Sequence, residues 1–198
     1  MMLRLLKDRT AAAGAEFALV IPLLFLLLLG LVDVGRWLWT YNRAEKAAEM
    51  GARFAVVTSP ITSALSTDYV GACSPPLTQG DLIPASCFSK ITCKSSGCTS
   101  GTEDTTAFNA VVARMHALLP ELAAANVSIE YNSSGLGYAG NPNGPDISPV
   151  VTVKIGDSNA GATPLPFTPI TALLFETMNM PTFTASLTAE DLRGSQSN

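Results

Sequence analysis

The apolar residues of this chain are concentrated near its amino-terminal end. From Thr10 to Val32 the sequence reads TAAAGAEFALVIPLLFLLLLGLV, a run of 23 residues whose one charged side chain is Glu16. About 20 predominantly apolar residues are enough for a helix to cross a hydrocarbon core of about 30 Å. The pattern therefore predicts one membrane-spanning helix.

A cleaved secretory signal is the alternative interpretation of this run. Its apolar core has about 7 to 15 residues and is followed by a site of small residues. Here the uncharged stretch Phe17–Val32 already has 16 residues, and the sequence after it, DVGRWLW, contains no such site. Trp37 and Trp39 suit a membrane–water interface. We therefore expect the anchor to be retained.

Helical periodicity continues beyond the apolar run to residue 58, and Pro60 is expected to end it. Small residues recur there at the spacing of one helix face, at Ala44, Ala47, Ala48, Gly51, Ala52 and Ala55. This small-residue stripe could pack on the chain's own outer domain or on helices of other subunits, and periodicity does not distinguish the two. Within the span, Pro22 removes one helix hydrogen bond and predicts a kink.

The region after residue 59 has the pattern of a small α+β domain. Apolar residues at helical spacing between Thr102 and Pro120 predict a second helix. Alternating positions predict strands over residues 126–132, 149–155 and 182–192. We expect fold class α+β, in which a long N-terminal transmembrane and stalk helix precedes a second helix packed on a three-stranded antiparallel sheet, with a cysteine-stapled loop at 60–101.

Four cysteines lie in the 60–101 loop, namely Cys73, Cys87, Cys93 and Cys98. A four-cysteine zinc site usually needs two closely spaced pairs, which this spacing lacks, so we expect two disulfides and no metal. Three connectivities are possible, and the short Cys93–Cys98 separation favours that bond together with Cys73–Cys87. Basic residues flank both ends of the span, so the disulfides, which form outside the cytoplasm, place the N-terminus in the cytoplasm.

Charge and motif content narrow the possible functions. The net charge of −4 and the pI near 4.9 disfavour nucleic acid as a partner, because nucleic-acid binding requires a basic face. His116 has no cysteine or serine motif near it in sequence, and it is expected to be a surface or partly buried histidine. The sequence predicts neither an enzyme nor a bound cofactor.

The run KDRTAAAGAEFALVIPLL from Lys7, followed by LVDVGR from Leu31, resembles the TadE-like family. These proteins are minor pilins, or pseudopilins, of tight-adherence (Flp-type) pili in bacteria. The resemblance is most specific over residues 9–55, where the family shows a charged leader, Glu-Phe, an apolar run with proline, and Asp-x-Gly-Arg. Here these correspond to Glu16 and Phe17, to Pro22, and to the segment from Asp33 to Arg36.

The resemblance implies cleavage by a prepilin peptidase on the cytoplasmic side, just before the apolar segment. Family members have glutamate at the fifth position of the mature chain, which places the cut between Ala11 and Ala12. The sequence departs from the usual pattern here, because the family has Gly before the cut. The resemblance also implies that Glu16 pairs with the freed N-terminal amine of a neighbouring subunit, since a charge in a low-dielectric medium is tolerated when it is paired.

These expectations define an organisation and a set of partners. Residues 1–11 are a cleaved cytoplasmic leader, 12–58 a transmembrane and stalk helix, and 59–198 an extracytoplasmic head. The protein is expected in the bacterial inner membrane with a periplasmic head, or assembled into an extracellular pilus, with other pilin subunits and the pilus assembly machinery as partners. The alternatives are a permanently anchored envelope protein whose head binds a partner or ligand, and a secreted enzyme on an anchor.

Overall fold

A computed structural model describes residues 9–66, 68–142, 145–172, 176–189 and 192, with side chains described from residue 14 onward. The chain divides into two compact units. The first, here called the anchor unit, comprises Met1–Trp39 and Phe167–Met178, and the second, the head unit, comprises Thr40–Pro166 and Asn179–Asn198. Each unit has its own packing and is described separately below.

Helix α1 spans Arg9–Ala55 and contains Pro22 in its interior. It ends three residues before the predicted limit at residue 58. The Val56 N–H still donates to the Ala52 carbonyl, and the Thr58 hydroxyl donates to the Phe54 carbonyl. These two bonds satisfy carbonyls that the last helical turn would otherwise leave without partners.

A five-stranded antiparallel sheet forms the centre of the head unit, in the order β2-β1-β3-β4-β7. Its strands are β1 (Ile91–Lys94), β2 (Gly97–Cys98), β3 (Val127–Asn132), β4 (Val150–Ile155) and β7 (Phe183–Thr188). The short strands β5 (Pro166–Phe167) and β6 (Met178–Asn179) pair separately. The predicted α+β class is confirmed.

The prediction of three strands is wrong, because the cysteine-stapled loop contributes the hairpin β1–β2. Strand β1 has four residues and β2 has two, which is too short for alternation to be recognised in the sequence. The turn between them requires Gly97, whose φ of +124° is disfavoured for residues with a side chain. Strand β1 then pairs along β3, from Ile91 opposite Tyr131 to Lys94 opposite Ser128.

Helix α2 spans Thr105–His116, within the predicted helical region. The Asp104 carboxylate caps its first turn by accepting hydrogen bonds from the backbone N–H groups of Thr106 and Ala107, at 2.9 and 3.0 Å. The buried face of the helix consists of Phe108, Val111, Val112 and Met115. The helix thereby contributes four apolar side chains to the core of the head unit.

The small-residue stripe of α1 is part of this same core. Its members Ala44, Ala47, Ala48, Gly51, Ala52 and Ala55 are all buried within the head unit. A Cβ atom built on Gly51 would lie 2.6 Å from the Met115 Sδ atom of α2 and 3.2 Å from a Val153 methyl carbon of β4. The stripe thus packs on the chain's own domain, and its interpretation as a surface for helices of other subunits is wrong.

Candidate functional site

The amino-terminal half of α1 exposes almost every large apolar side chain it carries. The exposed set is Phe17, Leu19, Val20, Leu23, Leu24, Phe25, Leu26, Leu27, Leu28, Leu29, Leu31, Val32, Val34, Leu38 and Trp39. Soluble monomers rarely expose contiguous apolar surface of this extent. Within the described part of the chain, α1 is the one helix long and apolar enough to cross a membrane. This surface fits a membrane anchor.

The residues predicted to form the processing site lie at the start of this surface. Ala11 and Ala12 are in the first two turns of α1, and their side chains lie outside the described residues. The side chains of Glu16 and Phe17 are both exposed on the helix. Pro22 is exposed too, and α1 continues as a helix on both sides of it.

Asp33, the first charged residue after the apolar run, is the polar centre of the anchor unit. Its side chain is buried and accepts three hydrogen bonds from the segment Phe167–Met178. One carboxylate oxygen accepts the Ile170 backbone N–H at 2.7 Å. The other accepts the Thr171 backbone N–H at 3.0 Å and the Thr171 hydroxyl at 2.7 Å. Each oxygen is therefore engaged by a different residue of this segment.

Arg36 extends this contact by a further turn of the helix. Its guanidinium lies 3.2 Å from an Asp33 carboxylate oxygen, in the i,i+3 arrangement expected on a helix surface. The same guanidinium lies over the Phe167 ring, 5.5 Å from its centre, within the range of a cation–π contact. Asp33 and Arg36 together hold Phe167, Ile170 and Thr171 against α1, and we call this arrangement the Asp33 clamp.

Asp33 and Arg36 are recognisable in the sequence, but the residues they hold are not. Ile170 and Thr171 lie 137 and 138 residues further along the chain, and no periodicity relates positions so distant. Their surroundings in the sequence, TPLPFTPITALLF, are rich in proline and have the pattern of a loop. One signal in the sequence was Asp33 itself, an acidic residue placed directly after the apolar run. When such a charge is buried, it needs several hydrogen-bond donors.

All four cysteines are paired, as Cys73–Cys87 and Cys93–Cys98, which is the connectivity favoured by their spacing. Cys93 and Cys98 face each other across the hairpin β1–β2, so this bond links two strands that already pair. Cys73–Cys87 instead closes a loop with little regular structure. The two disulfides thus link different parts of the same region.

Two loops of the head unit are joined through the carboxylate of Asp146. It accepts the backbone N–H groups of Tyr69, Gly140 and Asn141, at 2.8, 2.9 and 2.9 Å. Burial opposes ionisation of this carboxyl, but the three donors and a side-chain hydrogen bond with Asp68 outweigh it and hold its pKa below the ordinary value. The cavity of about 500 Å³ between these loops is lined partly by Asp146, whose oxygens are already occupied by this bonding.

A network of charged residues on the sheet is likewise joined by bonds within the head unit. Glu130 is buried and accepts from Lys90 and Lys154, at 2.9 and 3.0 Å. Lys154 also bonds Asp157 at 2.9 Å, and this bond lowers the pKa of Asp157.

The imidazole Nδ1 of His116 lies 3.0 Å from the Leu122 carbonyl oxygen. Among the residues described, no cluster of three or more His, Cys, Asp or Glu is suited to a metal.

These features fit a membrane-anchored protein with one candidate spanning helix among the described residues and a disulfide-bonded α+β head. Residues 11–53 match the family model described as TadE-like protein, which confirms the resemblance over that segment. The match indicates a protein associated with tight-adherence pili, and it includes Glu16, Asp33 and Arg36. No curated protein matches the chain, and no solved structure does.

Proposed function

We propose that this protein is a minor pilin, or pseudopilin, of a tight-adherence (Flp-type) pilus. A prepilin peptidase removes its leader between Ala11 and Ala12, and the processed protein acts in pilus assembly or function and in surface adhesion. The observation that supports this proposal is the family match over residues 11–53, which spans both the cleavage site and the apolar helix. The protein acts by assembly and not by catalysis.

The exposed apolar part of α1 suits the protein both before and after its assembly into a pilus. Before assembly its apolar side chains are covered by lipid, and after assembly they are covered by helices of neighbouring subunits. Because the small-residue stripe is already buried in the head unit, contacts with other subunits fall on the apolar stretch before Trp39. This restricts the proposed assembly surface to residues 17–39.

The chemistry of the head supports a periplasmic location. Two disulfides require an oxidising environment, so the head is periplasmic and the leader cytoplasmic. This orientation also presents the bond after Ala11 to a peptidase acting on the cytoplasmic face. The protein therefore resides in the bacterial inner membrane until it enters a pilus.

The test is mass spectrometry of the amino terminus in cells with and without the prepilin peptidase. We expect a mature chain that begins at Ala12 in the first strain, and a chain that retains its leader in the second. A chain that begins at residue 1 in both strains would contradict processing and favour a permanently anchored envelope protein. A terminus after Val32 in both strains would indicate a cleaved secretory signal instead.

Glu16 provides a separate test of assembly. Its carboxylate is exposed on α1 and, in the proposed pilus, pairs with the new amino terminus of a neighbour. Glu16→Ala and the nearly isosteric Glu16→Gln should both insert in the membrane and both reduce piliation, because each removes the charge. The matched control is Glu49→Gln, which removes an exposed carboxylate of the same helix beyond the apolar stretch. Normal piliation of both Glu16 variants would exclude this role.

A further inference from the structure

Residues Phe167–Ala172 are fixed at the level where α1 leaves the apolar run. Asp33 directly follows Val32, the last residue of that run, and its carboxylate binds Ile170 and Thr171 through three bonds of 2.7 to 3.0 Å. The side chains of these two residues therefore begin within a few ångströms of the helix at Asp33. In a bilayer crossed by residues 10–32, this level is the membrane–water interface.

The exposed residues of Phe167–Ala172 are Thr168, Ile170 and Ala172, none of them charged, and the exposed Glu176 lies beyond this stretch. Ile170 is 53% exposed. No charged residue occurs in the sequence between Asp157 and Glu176. Exposed residues of this type next to a spanning helix extend its apolar surface beyond the helix itself.

The backbone of the segment meets a second requirement of a lipid environment. Backbone N–H groups that lack partners are costly in apolar surroundings, so irregular chain is tolerated there only when its polar groups are satisfied. Three consecutive N–H groups meet this condition. Those of Ile170 and Thr171 donate to Asp33, and that of Ala172 donates to the Pro169 carbonyl at 3.2 Å.

The part of α1 that belongs to the anchor unit carries residues suited to a membrane–water interface. Trp39 is 68% exposed, and Trp37 lies half a turn before it on α1. Tryptophan is enriched at membrane–water interfaces because its ring is apolar and its N–H is polar. Arg36, one turn after Asp33, combines a long apolar stem with a charge that can remain among lipid headgroups.

We propose that residues Phe167–Ala172 form a second membrane contact, which the Asp33 clamp holds in the headgroup and upper acyl region so that Ile170 enters lipid. Its occupant is the lipid surface, because the exposed residues are continuous with the surface of the spanning helix. This inference rests on the proposed membrane insertion of α1. It adds that the bilayer is contacted from two distant parts of the sequence.

The experiment uses the full chain in lipid vesicles, with an environment-sensitive fluorophore on single introduced cysteines. The four native cysteines are paired in disulfides. The introduced cysteine is therefore the one whose free thiol is labelled. Ile170→Cys keeps the backbone bond to Asp33. Leu27→Cys reports on the spanning helix, and Leu136→Cys, whose native side chain is 59% exposed in the head unit, is the matched apolar reference.

We expect lipids with a nitroxide near the headgroup to quench the Ile170 probe and to shift its emission to the blue, while the Leu136 probe stays in water. Adding Asp33→Asn should reduce quenching at position 170 and leave that at position 27 unchanged. Quenching at 27 without quenching at 170 would overturn the inference and leave the anchor intact. No quenching at either position would overturn the membrane insertion itself.

Two further outcomes also contradict the inference. A blue shift at position 170 without quenching by lipid would mean that protein covers Ile170, as in a contact with a second subunit. Equal quenching at positions 170 and 136 would mean that the whole protein adsorbs to vesicles without a specific contact. Only quenching confined to positions 27 and 170 supports the proposal.

Discussion

At the scale of single residues, Gly51 is the position where α1 comes closest to the rest of the head. A Cβ atom there would lie 2.6 Å from the Met115 Sδ atom and 2.8 Å from the Met115 Cγ atom. Met115 is itself fully buried, so its side chain has little room to move away. The helix can adopt its observed position because residue 51 has no side chain.

Gly51→Ala should therefore destabilise the head, although alanine is the better helix former. Overpacking of a core typically costs about 1–3 kcal/mol, while the gain in helix propensity from Gly to Ala is about 1 kcal/mol. The measurement is chemical unfolding of the full chain in detergent micelles. Gly35→Ala is the matched control, because no atom lies within 4 Å of its added Cβ, and it should not be destabilised. Equal stability of both variants would contradict the packing described here.

At the scale of elements, the Asp33 clamp joins a helix to a segment more than 130 residues away. Asp33→Asn keeps the size of the side chain but replaces one acceptor oxygen with an amide group that donates. At least one of the N–H groups of Ile170 and Thr171 then loses its acceptor, which costs about 1–3 kcal/mol when the group is buried. We expect faster hydrogen exchange at residues 170 and 171 in lipid nanodiscs.

The control for this variant is Glu49→Gln, which breaks an exposed i,i+3 pair with Lys46. Surface pairs contribute about 0–1 kcal/mol, so exchange at residues 170 and 171 should match that of the unmodified chain. Unchanged protection in Asp33→Asn would show that the carboxylate does not hold the segment.

The disulfides are a second feature at this scale. Cys73–Cys87 closes a loop of 15 residues counted from one cysteine to the other, and a loop of that length gives about 3 kcal/mol in the chain-entropy model. Replacing Cys73 and Cys87 together by alanine should lower the free energy of unfolding by about this amount. The exposed neighbour Ser86→Ala is the control within the same loop. A double variant as stable as the control would mean that this disulfide does not constrain the unfolded chain.

At the scale of the whole molecule, stability should decrease in acid. Asp81, Asp146 and Asp157 all have pKa values lowered in the folded head, by hydrogen bonds from Thr78, from three backbone N–H groups and from Lys154 respectively. A carboxyl whose folded pKa lies below its unfolded value of 3.8 contributes stability above that value. This contribution is lost as the pH falls through the folded pKa.

Thermal unfolding of the full chain in micelles, recorded from neutral pH to below pH 3.8, should show this loss. Asp146→Asn should be less stable at neutral pH and should depend less on pH in the acid range. A variant with the same acid dependence as the unmodified chain would show that Asp146 does not contribute to it. The comparison isolates one carboxyl, because the bonds of Asp81 and Asp157 involve other residues.

The elements that depend on local sequence were predicted well. A spanning helix requires only length and apolar character over residues 10–32, and α2 lies within the region Thr102–Pro120 that its own periodicity predicted. Strands β3, β4 and β7 lie within the predicted ranges because each is long enough to alternate. The hairpin β1–β2 was missed because six residues carry too little pattern, and its pairing along β3 is a contact between distant parts of the chain.

The sequence by itself determined that there is one candidate anchor, that the head is α+β and that residues 11–53 carry the family pattern. Only the tertiary structure decided where the small-residue stripe packs, because a stripe defines a contact face and not its partner. It also decided the role of Asp33. A carboxylate in the sequence indicates that hydrogen-bond donors are needed, but the fold determines which donors lie beside it. Both outcomes depend on contacts between residues far apart in the chain, which local composition does not encode.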